Sequence, residues 1–140
     1  MKILAVDPGL RKIGLAVSDP TGTAARALAV FERGSLQQDC ARILEAAHGE
    51  SAERILVGNS HEAGTKMNEQ ARFTHQLLAA LRTSAAMPVE AYDESFSTQR
   101  AREVRRQRAD RRKARRGADD ALAAAAFLQE YLDAQADAAG

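Results

Sequence analysis

The chain has one cysteine, no tryptophan and three prolines, and only 4% of its 140 residues are aromatic. Each shortage excludes something. With Cys40 alone, no internal disulfide can form, and a reducing, cytoplasmic setting is the expectation. No run of about 18 apolar residues occurs, so no membrane-spanning helix is expected. Lys2-Ile3-Leu4 enters an apolar segment at once, with neither a cationic leader nor a cleavage site, so no secretion signal is expected either. What remains is a composition that is 45% apolar and 28% charged, as in a globular chain long enough for one compact domain over 1–140.

A net charge of +1 conceals a strong asymmetry. Between Arg100 and Arg116 there are ten Lys/Arg against two acids, Glu103 and Asp110, a balance of +8; elsewhere ten cations face seventeen acids, a balance of −7. A long cationic segment of one sign suits a polyanion, so nucleic acid is the expected partner. No aromatic residue lies inside that segment, which favours recognition of backbone and shape over base stacking.

Along the chain, Lys2–Asp7 and Lys12–Ser18 read as strands joined by a short Pro-Gly connection, a hairpin pattern, and Ala25–Phe31 reads as a weaker third strand. Ser35 followed by Gln38 has the form of a capping box, and Leu36, Cys40, Ile43, Leu44 and Ala47 follow at helical spacing until Gly49. Arg54–Gly58 is a short apolar strand. A second helix carries Phe73, Leu77, Leu78 and Leu81, and Pro88–Tyr92 is a fifth strand. Helix resumes after Ser97, and a last helix runs from about Ala118 to Ala134. The order β-β-β-α-β-α-β-α-α predicts a five-stranded mixed sheet with helices on both faces.

Three acids stand out. Asp7 ends the first strand, Asp93 and Glu94 end the fifth, and Asp120 heads a stripe in the last helix completed by Ala124, Phe127, Leu128 and Tyr131. With the first and fifth strands as parallel neighbours, their carboxyl ends form the edge where open α/β sheets bind ligands. Asp119, about 100° round the helix, reads instead as a cap or first-turn acid, and Asp19 as a turn residue. Clustered carboxylates repel one another, and a hard divalent cation, Mg²⁺ or Mn²⁺ as one or two ions, resolves that cost. Two such ions about 4 Å apart can align a water and a phosphodiester for in-line attack. Arg11 and Lys12 follow Asp7 closely enough to hold a flanking phosphate. Arg105, Arg106, Arg108, Arg111, Arg112, Lys113, Arg115 and Arg116 are suited to grip the backbone through their charge and, for arginine, its planar fork. Of the histidines, His48 and His75 read as surface residues and His61 as a loop residue within possible reach of the site.

These residues also fall into a known pattern. DPGLRKIGLAVSD from Asp7, VGNS from Val57 with Gly64-Thr65, DESFST from Asp93, and DALAAAAFLQEYL from Asp120 together resemble the YqgF/RuvX family over nearly the whole chain. That resemblance implies a ribonuclease-H-like fold and a metal-dependent nuclease, of the kind described for 5′-end processing of pre-16S rRNA or for Holliday junctions. It also implies a metal site on Asp7, Glu94 and Asp120. Two departures are visible: Ser95 stands where the family usually has arginine, leaving Arg100 as a candidate replacement, and Asn59-Ser60 replaces Leu-Pro. A junction resolvase cutting two strands implies a homodimer. Two other readings compete. An actin-like ATPase would need two such subdomains, and no GxxxxGK[ST] occurs. A non-catalytic RNA-binding assembly factor on the same fold accounts for the basic segment equally well but leaves three acids unexplained.

Overall fold

The computed structural model describes residues 1–59, 69–93 and 119–139. The expected helix after Ser97, the basic segment Arg100–Arg116, Glu94, Ser95, His61 and Gly64-Thr65 lie outside the described residues, as do the side chains of Asp93, Asp119 and Asp120.

Five strands form one sheet: β1 (Ile3–Pro8), β2 (Lys12–Ser18), β3 (Ala25–Glu32), β4 (Arg54–Asn59) and β5 (Val89–Asp93). The spatial order is β3-β2-β1-β4-β5. The first three strands form an antiparallel meander, and β4 and β5 add to β1 in parallel. The mixed sheet is as expected, but β1 and β5 are not neighbours. β4 slots between them, so their carboxyl ends share one edge at a separation of two strand spacings, about 9–10 Å.

Alternation along β1 divides the core. Leu4 and Val6 join Ile13, Leu15, Ile55 and Val57 under helices α1 (Leu36–Gly49) and α2 (Glu69–Ser84). Ile3 and Ala5 point the other way, joining Ala16 and Leu56 under α3 (Asp119–Ala139). The expected stripe of α3 is what packs there: Ala124, Phe127 and Leu128 are almost wholly buried, and Tyr131 nearly so. Gln129 ties the helix to the start of β3, accepting from Ala25 N and donating to Thr23 O.

α1 begins as its sequence predicts. Ser35 Oγ accepts from Gln38 N while Gln38 Oε1 accepts from Ser35 N, closing a capping box. Buried Asp39 adds to it by accepting from Gly34 N at 2.8 Å. The helix end differs from expectation. Gly49 is its last residue, but the left-handed conformation that releases the chain belongs to Ser51, with φ 55°. Ser51 N donates to His48 O and Ala52 N to Ala47 O, so the final carbonyls are satisfied without glycine in that position.

Gly58 sets how closely α3 approaches the sheet. A Cβ built on Gly58 would lie 2.7 Å from Phe127 Cε1 and 2.9 Å from Cζ. The Phe127 ring fills that space and stacks on Tyr92, with centroids 5.6 Å apart and planes 17° apart. Gly58→Ala is expected to cost about 1–3 kcal/mol, the usual penalty of overpacking a core. In urea denaturation, a Phe127→Leu background should make that added cost smaller.

Candidate active site

β1 carries Asp7 on the α3 side of the sheet, since it follows the alternation of Ile3 and Ala5. Its neighbours on that side are unusual. Asp7 pairs with Gly14 on β2, and the β1–β4 register, with Val6 beside Val57, puts Gly58 next to Asp7. A half-buried carboxylate therefore lies between two glycines, with no Cβ on either adjacent strand at its level. Gly58 in turn pairs with Tyr92, one residue before the end of β5. Position 120 lies in the first turn of α3, four residues before buried Ala124. The carboxyl ends of β1 and β5 lie on one edge of the sheet, two strand spacings apart, and α3 begins toward that edge. Among the described residues there is no group of three potential metal ligands; Glu94 and the Asp120 side chain are not among them. The Phe127 ring covers Gly58, so the flank of Asp7 left without a side chain is the one at Gly14. A half-buried carboxylate at the sheet edge is an oxygen donor of the kind that suits a hard cation, and in that sense Asp7 fits one.

The turn after Asp7 is tightly held. Gly9 N donates to Lys12 O at 2.9 Å, and a Cβ on Gly9 would lie 2.6 Å from that oxygen, so glycine is required there. Arg33, just past the end of β3, donates from Nη1 to Leu10 O at 2.8 Å and to Gly9 O at 3.3 Å, and its backbone N donates to Arg11 O. The guanidinium carbon lies 3.4 Å from the centroid of the Phe73 ring. From α2, Gln70 Nε2 donates to Pro8 O at 3.0 Å. The carbonyls from Pro8 to Arg11 thus each receive a donor, and the acid at the head of the turn gains a fixed backbone. Sequence reasoning missed Arg33 and Gln70. Arg33 reaches the turn through the meander register, which pairs Lys12 with Glu32, and Gln70 through the packing of α2; neither relation is marked by a local pattern.

The remaining expectations sort simply. Arg11 and Lys12 are exposed at the end of the same turn. Asp19 is a turn acid: its carboxylate accepts from Thr23 N, Ala24 N and the Thr21 hydroxyl. Those bonds, led by the one from Thr23 N, hold its pKa below the usual carboxylate value. His48 and His75 are exposed on α1 and α2. Away from the edge, Arg54, Glu90 and Tyr131 form a structural triad, with Arg54 Nη1 3.1 Å from Glu90 Oε2 and the Tyr131 hydroxyl 2.8 Å from each. Burial and the bond to Glu90 push the Tyr131 hydroxyl's pKa up.

Removing the Arg33 brace should be visible locally. Arg33→Leu takes away the side-chain donors to two carbonyls and the cation–π contact, a loss of about 2 kcal/mol in total. Hydrogen exchange at Gly9 should accelerate well beyond that of core amides such as Val6, and Arg33→Lys should restore part of the protection.

Comparison with known proteins agrees with this layout. A family model described as "RuvX: Holliday junction resolvase" matches residues 1–134. A Symbiobacterium thermophilum protein named "Putative pre-16S rRNA nuclease" is 39% identical over 136 residues, covering 97% of this chain and 94% of its own. A Desulforamulus reducens protein of the same name is 32% identical, covering 97% and 99%. Among solved structures, Thermus thermophilus RuvC in complex with Holliday junction substrate superposes with a TM-score of 0.64 at 22% identity, over 96% of this chain and 95% of that one. The fowlpox virus Holliday junction resolvase reaches 0.54 at 14% identity, over 96% and 99%. The fold is the ribonuclease-H-like α/β fold of these resolvases.

Proposed function

The chain belongs to the RuvX family of Holliday junction resolvase-like nucleases, and from that premise we propose that it is a divalent-metal-dependent endonuclease processing the 5′ end of pre-16S rRNA. It is a phosphodiester-hydrolysing nuclease that takes nucleic acid as its partner. The observation that carries the assignment of the site is Asp7, on the α3 side of the carboxyl edge, flanked in register by Gly14 and Gly58.

In this reading Asp7, Glu94 and Asp120 hold the cation, with Mg²⁺ or Mn²⁺ suited to an all-carboxylate donor set. When bound, the metal offsets the repulsion among the acids and stabilises charge developing on the phosphoryl oxygens. The residues of the chain do the rest. Asp7 presents its oxygens from a backbone fixed by Arg33 and Gln70. Arg11 and Lys12 hold the phosphate beside the scissile one. Arg100, Arg105, Arg106, Arg108, Arg111, Arg112, Lys113, Arg115 and Arg116 grip the flanking backbone.

Four-way junction cleavage is the second reading, favoured by the superposition on RuvC, and a paired cut on two strands calls for a homodimer. Cys40, buried and with its thiol pKa pushed up by burial, is an inert thiol suited to the cytoplasm.

The test is cleavage of labelled pre-rRNA leader, four-way junction and linear duplex with Mg²⁺ or Mn²⁺. Asp7→Asn should lose activity on the preferred substrate by more than the about 10–100-fold that follows loss of even an outer partner of a metal ligand. Equal cleavage by Asp7→Asn rejects the metal site. Binding of all three substrates with no cleavage by the parent chain supports the assembly-factor reading instead.

A further inference from the structure

On the opposite side of the β1–β2 turn from Asp7 lies a cavity of about 1000 Å³, bounded by that turn, the end of β3 and the exposed side of α2. Arg11, Lys12, Arg33 and Arg72 line it, together with Glu32 and Glu69. Its volume is at the upper limit of small-molecule clefts, about 300–1,000 Å³, as suits an open trough.

The charge is what singles it out. Outside the basic segment the chain carries ten cations against seventeen acids. Four of those ten line this one cavity against two acids, a local excess of positive charge on an otherwise acidic body. Elsewhere, Lys2 and Arg26 share an ion pair with Glu50, and Arg54 pairs with Glu90. None of the four cavity cations makes an ion pair among the described residues. Arg33 is also pre-organised, with its guanidinium held on Phe73 and bonded to two carbonyls, so less freedom is lost on meeting an anion.

We propose that this cavity is a second nucleic-acid site, a phosphate-binding trough that receives the single strand flanking the cleavage point, with Arg72 on α2 as its outer contact. The proposal rests on the nuclease reading above and extends it. The β1–β2 turn carries Asp7 at its head and Arg11 and Lys12 at its tail, so a strand cut on the α3 side passes over the turn into the trough. Glu32 and Glu69 at the cavity leave room for donors of sugar or base without cancelling the phosphate contacts.

The test is binding by the full chain without divalent metal. The probes are fluorescently labelled single-stranded RNA and DNA of one sequence, about 12 nucleotides long, within the about 4–16 that single-strand grooves occupy. Arg72→Gln should reduce the slope of log affinity against log salt by about 0.7, one phosphate contact. That is an about fivefold loss at 0.1 M salt relative to 1 M. Arg82→Gln, ten residues along the same helix and about 15 Å away, should leave the slope unchanged. In cleavage assays Arg72→Gln should raise KM more than it lowers kcat. A change with both probes assigns the trough to phosphate, and a change with one identifies RNA or DNA as its ligand; both support the proposal. Equal slopes for Arg72→Gln, Arg82→Gln and the parent chain overturn it, as does an equal loss in both variants. If cleavage fails while the Arg72 effect persists, the nuclease reading falls and the trough stands. If cleavage depends on Asp7 while Arg72→Gln binds normally, the trough falls alone.

Discussion

Phe127 occupies the space where Gly58 has no side chain, and the placement of the functional edge follows from that contact. The ring brings α3 close to the centre of the sheet, and Ala124, one turn earlier, keeps the helix there. Its first turn is thereby directed toward the row that runs Gly14, Asp7, Gly58, Tyr92 across four strands. The absence of a side chain at Gly58 admits the aromatic ring, which then stands beside the acid's strand. A larger residue there would push the helix outward and crowd Asp7 in the same movement.

The two faces of the sheet have different duties. The α1/α2 face is a conventional aliphatic core, with Ile43, Leu77 and Leu81 fully buried against the sheet. The α3 face is thinner and richer in alanine, and its larger residues, Phe127, Tyr131 and Tyr92, interlock as rings. The β1–β2 turn projects between them and is braced from the meander by Arg33 and from α2 by Gln70. Stiffness at this turn matters to the proposed role of Asp7, because a metal ligand displaced by even a fraction of an ångström loses much of its value.

Much of this was legible in the amino-acid order. The Ser35–Gln38 capping box, the buried stripe of α3 and the hairpin before Lys12 all rest on short-range chemistry, and each was found close to where it was expected. What escaped were relations between distant segments. No local pattern shows that β4 inserts between β1 and β5, because strand order is decided by how crossovers pack. Gly49 looked like the residue that releases α1, yet Ser51 takes the left-handed conformation, a choice made by the backbone bonds to His48 and Ala47. Arg33 drew no notice in the sequence, since its partners are carbonyls more than twenty residues away. The place of Asp7 near the end of β1 and the buried stripe of α3 from Ala124 onward could be read in advance; the glycines flanking Asp7 could not, as they depend on register.

The late position of α3 in the chain bears on how the protein comes into being. Ile3, Ala5, Ala16 and Leu56 are covered by residues from Ala124 to Leu132. A chain growing from its amino end therefore completes the meander, β4 and the α1/α2 layer with one apolar face of the sheet still bare. That face invites association with other chains until the final helix emerges and docks. The same delay governs chemistry: Asp7 is synthesised almost first, but the helix that brings the last proposed ligand to it is made near the end. A nascent chain thus carries the arginines proposed to bind nucleic acid before it can assemble the proposed metal site.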